Sequence, residues 1–175
     1  MKQKQTLILG GMRSGKSRLA EKLAIESRLP VTYIATATAQ DKEMRQRIAT
    51  HREQRPDHWL VVEEPLQLAT ALSNVVTGQC ILLDCLTLWL TNLLLADDSL
   101  QFAQEREAFL NILPALENRL IIVSNETNMG ITPMGELSRR YCDEAGRLHQ
   151  ELAQQCDQVI LTVAGLPHTL KGEAL

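Results

Sequence analysis

Leu7-Ile8-Leu9-Gly10-Gly11-Met12-Arg13-Ser14-Gly15-Lys16-Ser17 is the stretch that decides the fold. Gly10, Gly15, Lys16 and Ser17 complete the phosphate-loop pattern G-x-x-x-x-G-K-[ST]. Three aliphatic residues precede it, as a buried parallel strand supplies, and Leu19, Ala20, Leu23 and Ala24 follow at helical spacing. Glycine lets the backbone curl so that its N–H groups converge on phosphate oxygens at the positive end of the next helix. Lys16 is expected to reach the β- and γ-phosphates, and the Ser17 hydroxyl to ligate Mg²⁺. On this reading the chain binds a nucleoside triphosphate.

Outward from the loop, apolar strand-like runs recur at Leu7–Leu9, Val31–Ala35, Leu60–Val62, Ile81–Leu83, Leu120–Val123 and Val159–Val163. They are short and continuous rather than alternating, as in strands buried on both faces. Helical patterns fall between them. One runs from Lys16 to Arg28 and stops before Pro30, which disfavours helix in the residue ahead of it. A second spans Asp41–Arg55, and a third spans Gln101–Glu117 with an interruption at Pro114. The last starts at Pro133 and carries Leu137, Tyr141, Leu148 and Leu152 on one face. The pattern predicts one α/β domain over residues 1–175, with a doubly wound, mostly parallel sheet of the P-loop NTPase (RecA-like) kind.

Composition bounds the function. With 175 residues and 45% hydrophobic content, the chain is long enough to bury a real core. A net charge of −3 provides no general basic field for nucleic acid. No apolar run approaches the roughly 18 residues that span a bilayer, and the chain reads as cytoplasmic. Cys80, Cys85, Cys142 and Cys156 have neither disulfide nor zinc spacing, and Cys80 and Cys85 read as small buried hydrophobes.

Two features carry chemistry beyond the loop. Ile81-Leu82-Leu83-Asp84 is a strand ending in a carboxylate, which in phosphate-loop proteins stands beside the loop and holds Mg²⁺ directly or through water. The alternative is a cap for the helix pattern that follows. The segment from Asp41 to Pro56 sets Arg47, His51 and Arg55 along one helix edge, with Arg45 and Arg52 nearby and Met44 and Ile48 as the packing face. Guanidinium forks suit a triphosphate, and a neutral imidazole among them can attack phosphorus. The same arginines also read as a solvated face, with Asp41–Arg45 and Glu43–Arg47 as i,i+4 pairs. Three further places are candidates. Tyr33–Ala37 is either an approach for base or ribose or a plain strand-to-loop turn. Glu63 and Glu64 are either ribose ligands or caps for the helix after Pro65. Ser124–Pro133 is a polar loop suited to a second substrate.

In order along the chain stand Gly-Gly-Met-Arg-Ser-Gly-Lys-Ser and Tyr33-Ile34-Ala35-Thr36, then Arg47-Ile48 through His51 to Arg55-Pro56. Leu83-Asp84-Cys85-Leu86-Thr87 follows, then Ser124-Asn125-Glu126 through Met129-Gly130-Ile131, with Val163-Ala164-Gly165-Leu166-Pro167 at the end. Together they resemble the bifunctional adenosylcobinamide kinase / adenosylcobinamide-phosphate guanylyltransferase family of cobalamin assembly, over nearly the whole chain. The loop alone is generic, whereas its combination with the Arg-Ile-x-x-His-Arg block is specific. The resemblance implies that ATP or GTP phosphorylates the aminopropanol hydroxyl of adenosylcobinamide. GTP then gives GMP to an enzyme histidine, and the GMP passes to the cobinamide phosphate. His51 would carry the GMP, with Lys16 also catalytic. Gly10, Gly11, Met12, Arg13, Ser14, Gly15, Lys16 and Ser17 would hold phosphates. Ala35, Thr36, Ala37, Arg52, Glu53, Gln54, Arg55, Glu63 and Asp84 match positions that contact GTP, and Ser17 and Asp84 would hold Mg²⁺. Some members carry two adjacent histidines; here Thr50 precedes His51. The family also implies a homotrimer.

Two other readings are set against this one: a plain small-molecule kinase with a structural His51, and a nucleotide-dependent switch. Against the switch, the chain has no Asn-Lys-x-Asp run of the kind GTPases use to read guanine.

Overall fold

A computed structural model describes residues 4–38, 42, 45, 46, 49, 52 and 55–175. Its strands are β1 (Gln5–Gly10), β2 (Val31–Ala35), β3 (Leu60–Glu63), β4 (Cys80–Asp84), β5 (Arg119–Asn125), β6 (Gln158–Val163) and β7 (Leu166–Lys171). Its helices are α1 (Lys16–Glu26), α2 (Leu68–Ser73), α3 (Leu86–Leu95), α4 (Ser99–Ile112) and α5 (Glu136–Gln155). Among the described residues seven strands join one sheet in the order β3-β2-β4-β5-β1-β6-β7. Every pairing is parallel except β6 with β7. The mostly parallel α/β sheet expected from the sequence is therefore present.

Successive side chains of a strand point to opposite faces, so each central strand feeds two cores. Leu7, Leu9, Ile81, Leu83, Leu120 and Ile122 face α2–α5, where Trp89 and Phe109 are fully buried with ring centroids 5.2 Å apart. Trp89 Nε1 donates to the Leu66 carbonyl at 2.7 Å, which removes the cost of burying its one polar atom. Ile8, Tyr33, Leu82, Ile121, Val123 and Ile160 face Ala20, Leu23 and Ala24 of α1. Each fully buried Leu or Ile contributes about 1.5–3 kcal/mol, which is why continuous apolar runs settle at the sheet centre. β3 departs from that expectation: three of its four residues are exposed, because it is the edge strand.

Helix ends shift from the sequence reading for local reasons. α1 ends at Glu26. α4 gives way to a 3-10 turn, Leu113–Ala115, where Pro114 has no N–H to continue the ladder. α5 begins at Glu136 rather than Pro133, because Gly135 is extended and Arg139 turns back on the Pro133 and Met134 carbonyls. Its Leu137 is half exposed, while Ala145, Leu148, His149 and Leu152 are buried. The helix expected over Asp41–Arg55 falls largely outside the described residues, as do Met44, Arg47 and Ile48. Within it Lys42, Arg45, Gln46, Ala49 and Arg52 are helical and exposed.

Sequence reading missed β7. Ala164 (φ 52°) and Gly165 (φ 82°) form a two-residue turn with both residues left-handed, the geometry that matches hairpin twist. Pro167 sits in the next pair, opposite Thr162, on an outer strand where its missing N–H breaks no ladder.

Candidate active site

Register lines up the carboxyl ends of the strands. Glu63 of β3 is paired with Ala35 of β2, Ala35 with Asp84 of β4, and Asp84 with Val123 of β5. Asn125 of β5 is paired with Gly10 of β1. The candidate residues of the first half of the chain thus gather along one edge, as open α/β sheets place their ligands.

The loop after β1 is held tightly. Gly10 has φ 151°, and a Cβ there would lie 2.4 Å from the Thr162 carbonyl oxygen and 2.6 Å from Ser14 Oγ. The Ser14 N–H donates to the Gly11 carbonyl at 3.2 Å, and the Gly165 N–H donates to the Ser14 carbonyl at 2.9 Å. The β6–β7 turn therefore braces the loop. Gly15 precedes α1 in a left-handed conformation (φ 97°) that glycine adopts without steric cost. Gly11, Met12 and Arg13 are exposed, whereas Ser14 and Lys16 are buried. Lys16 Nζ donates to the Gly11 carbonyl at 2.6 Å. Burial lowers the lysine pKa, and the negative charge of Asp84 opposes that shift. Ser17 lies in the first turn of α1, half-buried.

Asp84 is half-buried and accepts a hydrogen bond at 3.1 Å from the hydroxyl of Tyr33. Its strand is not the neighbour of β1, since β5 lies between them. The capping alternative fails: Cys85 precedes α3, with no side-chain cap bond. A serine hydroxyl and a carboxylate are the hard oxygen donors that Mg²⁺ takes alongside phosphates, so Ser17 and Asp84 suit that ion chemically. Thr36 serves the backbone. Its hydroxyl donates to the Cys85 carbonyl at 2.7 Å and accepts from the Cys85 N–H at 3.0 Å. Cys85 is half-buried, and its thiol is pushed up to about 12 by burial first and by Asp84 second, so it stays neutral. Ala35 and Ala37 are half-buried, and the Ala35 carbonyl accepts the Glu64 N–H at 2.9 Å.

Toward the β3 edge a cleft of about 360 Å³ is lined by Arg52, Arg55, Pro56, Asp57, Trp59, Val61 and Glu63. Three of these residues were singled out from sequence. Arg52 is paired with the Glu63 carboxylate. The Arg55 guanidinium lies over the Tyr33 ring, 3.7 Å from its centroid. The two adjacent acids divide their work, because Glu64 accepts the Leu66 and Gln67 N–H groups at 2.9 and 2.8 Å and so caps the turn into α2. His51, Glu53 and Gln54 lie outside the described residues.

The loop after β5 also meets the phosphate loop, for the Glu126 N–H donates to the Gly10 carbonyl at 3.0 Å. Here the sequence reading missed His149 of α5, which is 7% exposed. Its Nε2 is 2.8 Å from Ser124 Oγ, and its Nδ1 is 3.7 Å from Glu126 Oε2. Burial lowers its pKa, with Glu126 acting the other way. A histidine inside an amphipathic helix pattern gives no sign of such a partner.

A family model described as "Cobinamide kinase / cobinamide phosphate guanyltransferase" matches residues 6–170. The bifunctional adenosylcobalamin biosynthesis protein CobP of Pseudomonas aeruginosa is 63% identical over 170 residues, covering 97% of this chain and 98% of that protein. The CobU proteins of the same description from Salmonella typhimurium and Escherichia coli are 40% and 37% identical, each covering 94% of this chain and 98% of the relative. Among solved structures, a Pyrococcus horikoshii protein superposes with TM-score 0.55 at 10% identity, over 98% of this chain and 87% of that one. An ATPase from the type III secretion system of pathogenic bacteria gives 0.53 at 12% identity, over 95% of this chain and 56% of that one. These two likenesses concern the fold alone. The phosphate loop, the acid-ended β4, the arginine cleft and a family match spanning residues 6–170 converge: the chain belongs to the cobinamide kinase / cobinamide phosphate guanyltransferase family, and the bifunctional reading stands over the plain kinase and the switch.

Proposed function

We propose that one catalytic domain carries out two successive transfers and that His51 divides them. In the first, the aminopropanol hydroxyl oxygen of adenosylcobinamide bonds to the γ-phosphorus of ATP or GTP. The bond to the bridging oxygen breaks, the nucleoside diphosphate leaves and the hydroxyl proton passes to water. In the second, a ring nitrogen of His51 bonds to the α-phosphorus of GTP and pyrophosphate leaves. A phosphate oxygen of the cobinamide phosphate then displaces the imidazole and takes the GMP.

The observation that carries this reading is the pair of contacts joining the acid end of β4 to the arginine block: Tyr33 bonds Asp84, and Arg55 lies on Tyr33. The segment bearing His51 thereby ends against the same strand edge that carries the phosphate loop. Lys16 and the loop N–H groups would neutralise charge developing on the phosphates, and Arg52 and Arg55 would hold phosphate oxygens by their forked N–H donors. Ser17 and Asp84 would hold Mg²⁺, which when bound offsets negative charge on the phosphates. The polar loop Ser124–Pro133 is the proposed side for the corrinoid.

The remaining expectations belong to the same reading: a homotrimer, checked by sedimentation equilibrium, and a cytoplasmic enzyme. No helix among the described residues is long and apolar enough to cross a membrane. The deciding experiment incubates the protein with Mg²⁺ and GTP labelled at either the α- or the γ-phosphorus, then denatures it. Label from the α position alone, lost in acid and stable in alkali, supports the reading. No retained α-label overturns it.

A further inference from the structure

The geometry points to Tyr33 as a positioning residue that ties the metal-side carboxylate to the arginine block, an inference that rests on the functional reading above. Tyr33 is 4% exposed in the middle of β2, and it reaches two parts of the site at once. Its hydroxyl donates to Asp84 Oδ2 at 3.1 Å. Its ring carries the Arg55 guanidinium at 3.7 Å, while Trp59 packs on it with ring centroids 6.5 Å apart and planes inclined by 27°.

Arg55 depends on that ring. Its Nε is buried with no hydrogen-bond partner among the described residues, and the guanidinium lies on the aromatic face of Tyr33. Asp84 is likewise incomplete without the phenol, since a carboxylate that is to bind a cation needs a second group to fix its rotamer. Leu or Val at position 33 would satisfy the apolar core equally well. A tyrosine there is explained by its two polar contacts.

Two substitutions separate these contacts. Tyr33→Phe removes only the hydroxyl and leaves the ring under Arg55. We expect the Mg²⁺ concentration that half-saturates binding of a non-hydrolysable GTP analogue to rise about tenfold, the lower bound for losing a group that orients a metal ligand. At saturating Mg²⁺ its yield of α-label should match wild type. Tyr33→Leu removes the ring as well, so it should show the same Mg²⁺ shift and, in addition, lose most α-labelling at saturating Mg²⁺. Melting temperatures identify a purely structural role, which would lower both readouts in step with stability. Tyr33→Phe with wild-type Mg²⁺ dependence overturns the inference, as does Tyr33→Leu with wild-type labelling at saturating Mg²⁺. Analogue binding requires no covalent intermediate. A wild type that fails to take α-label therefore counts against the two-step reading, while the Tyr33→Phe Mg²⁺ titration still decides the link to Asp84.

Discussion

Lys16 Nζ lies 2.6 Å from the Gly11 carbonyl oxygen, so the lysine of the phosphate loop folds back over the loop that carries it. That contact holds a buried cation against the loop, with the Asp84 charge opposing the loss of its proton. Each proposed transfer needs this charge, the first at the γ-phosphate and the second where pyrophosphate leaves.

Lys16→Ala should therefore reduce both half-reactions by about 10²-fold or more, the scale of losing one preorganised charged contact. Circular dichroism first establishes that the variant is folded. Wild-type phosphorylation of cobinamide by a folded Lys16→Ala protein would refute the loop assignment.

Asp84→Asn should keep the fold and raise the Mg²⁺ requirement, because a charged oxygen ligand becomes neutral. Among the described residues its carboxylate accepts a hydrogen bond from Tyr33, and an amide oxygen can still accept it. Titration of activity against Mg²⁺ reads the effect, and an unchanged midpoint with a lowered melting temperature would reduce Asp84 to a structural part.

His51→Asn separates the two activities. On the proposed route the kinase step passes phosphate directly to a hydroxyl, whereas guanylyl transfer would go through the imidazole nucleophile. The variant should lose α-labelling and guanylyl transfer while retaining ATP-driven phosphorylation. Retained label, or its appearance on His58, would remove His51 from the mechanism.

Gly10→Ala should cost about 1–3 kcal/mol of stability by urea unfolding and abolish nucleotide binding. The residue adopts φ 151°, and the new Cβ would press on the Thr162 carbonyl at 2.4 Å, a backbone atom that cannot swing away. A folded variant with wild-type GTP affinity would show that the loop tolerates a shift of β6.

His149→Gln tests a linkage to pH. Burial holds the folded pKa of His149 below its unfolded value, so the unfolded chain takes the proton more readily. The stability tied to the neutral ring is fully present above about pH 6.5 and is lost as pH falls from there through the lower folded value. Gln at this position cannot titrate, so the decline in unfolding free energy between about pH 7 and 5 should flatten. An equally steep decline in the variant would assign that slope to other groups.

The amino-acid sequence by itself determined the central strands, the phosphate loop and the family. These are local signals: apolar runs buried on both faces, a motif whose glycines fit one backbone path, and blocks in a fixed order. It also named Arg52, Arg55, Glu63 and Asp84, which the strand ends and the cleft along that edge bring near one another. It did not separate the roles of Glu63 and Glu64, because the choice between an Arg52 pair and a helix cap depends on which way each carboxylate turns at the sheet edge. β7 was hidden by Pro167, whose presence in a strand is tolerated only because that strand is outermost. His149 with Ser124 and Tyr33 with Arg55 were decided by tertiary structure alone. Each pair is more than twenty residues apart in sequence, and no periodicity in either segment encodes the partner. Only the packing of α5 on β5, and of the arginine segment's end on β2, brings those atoms within reach.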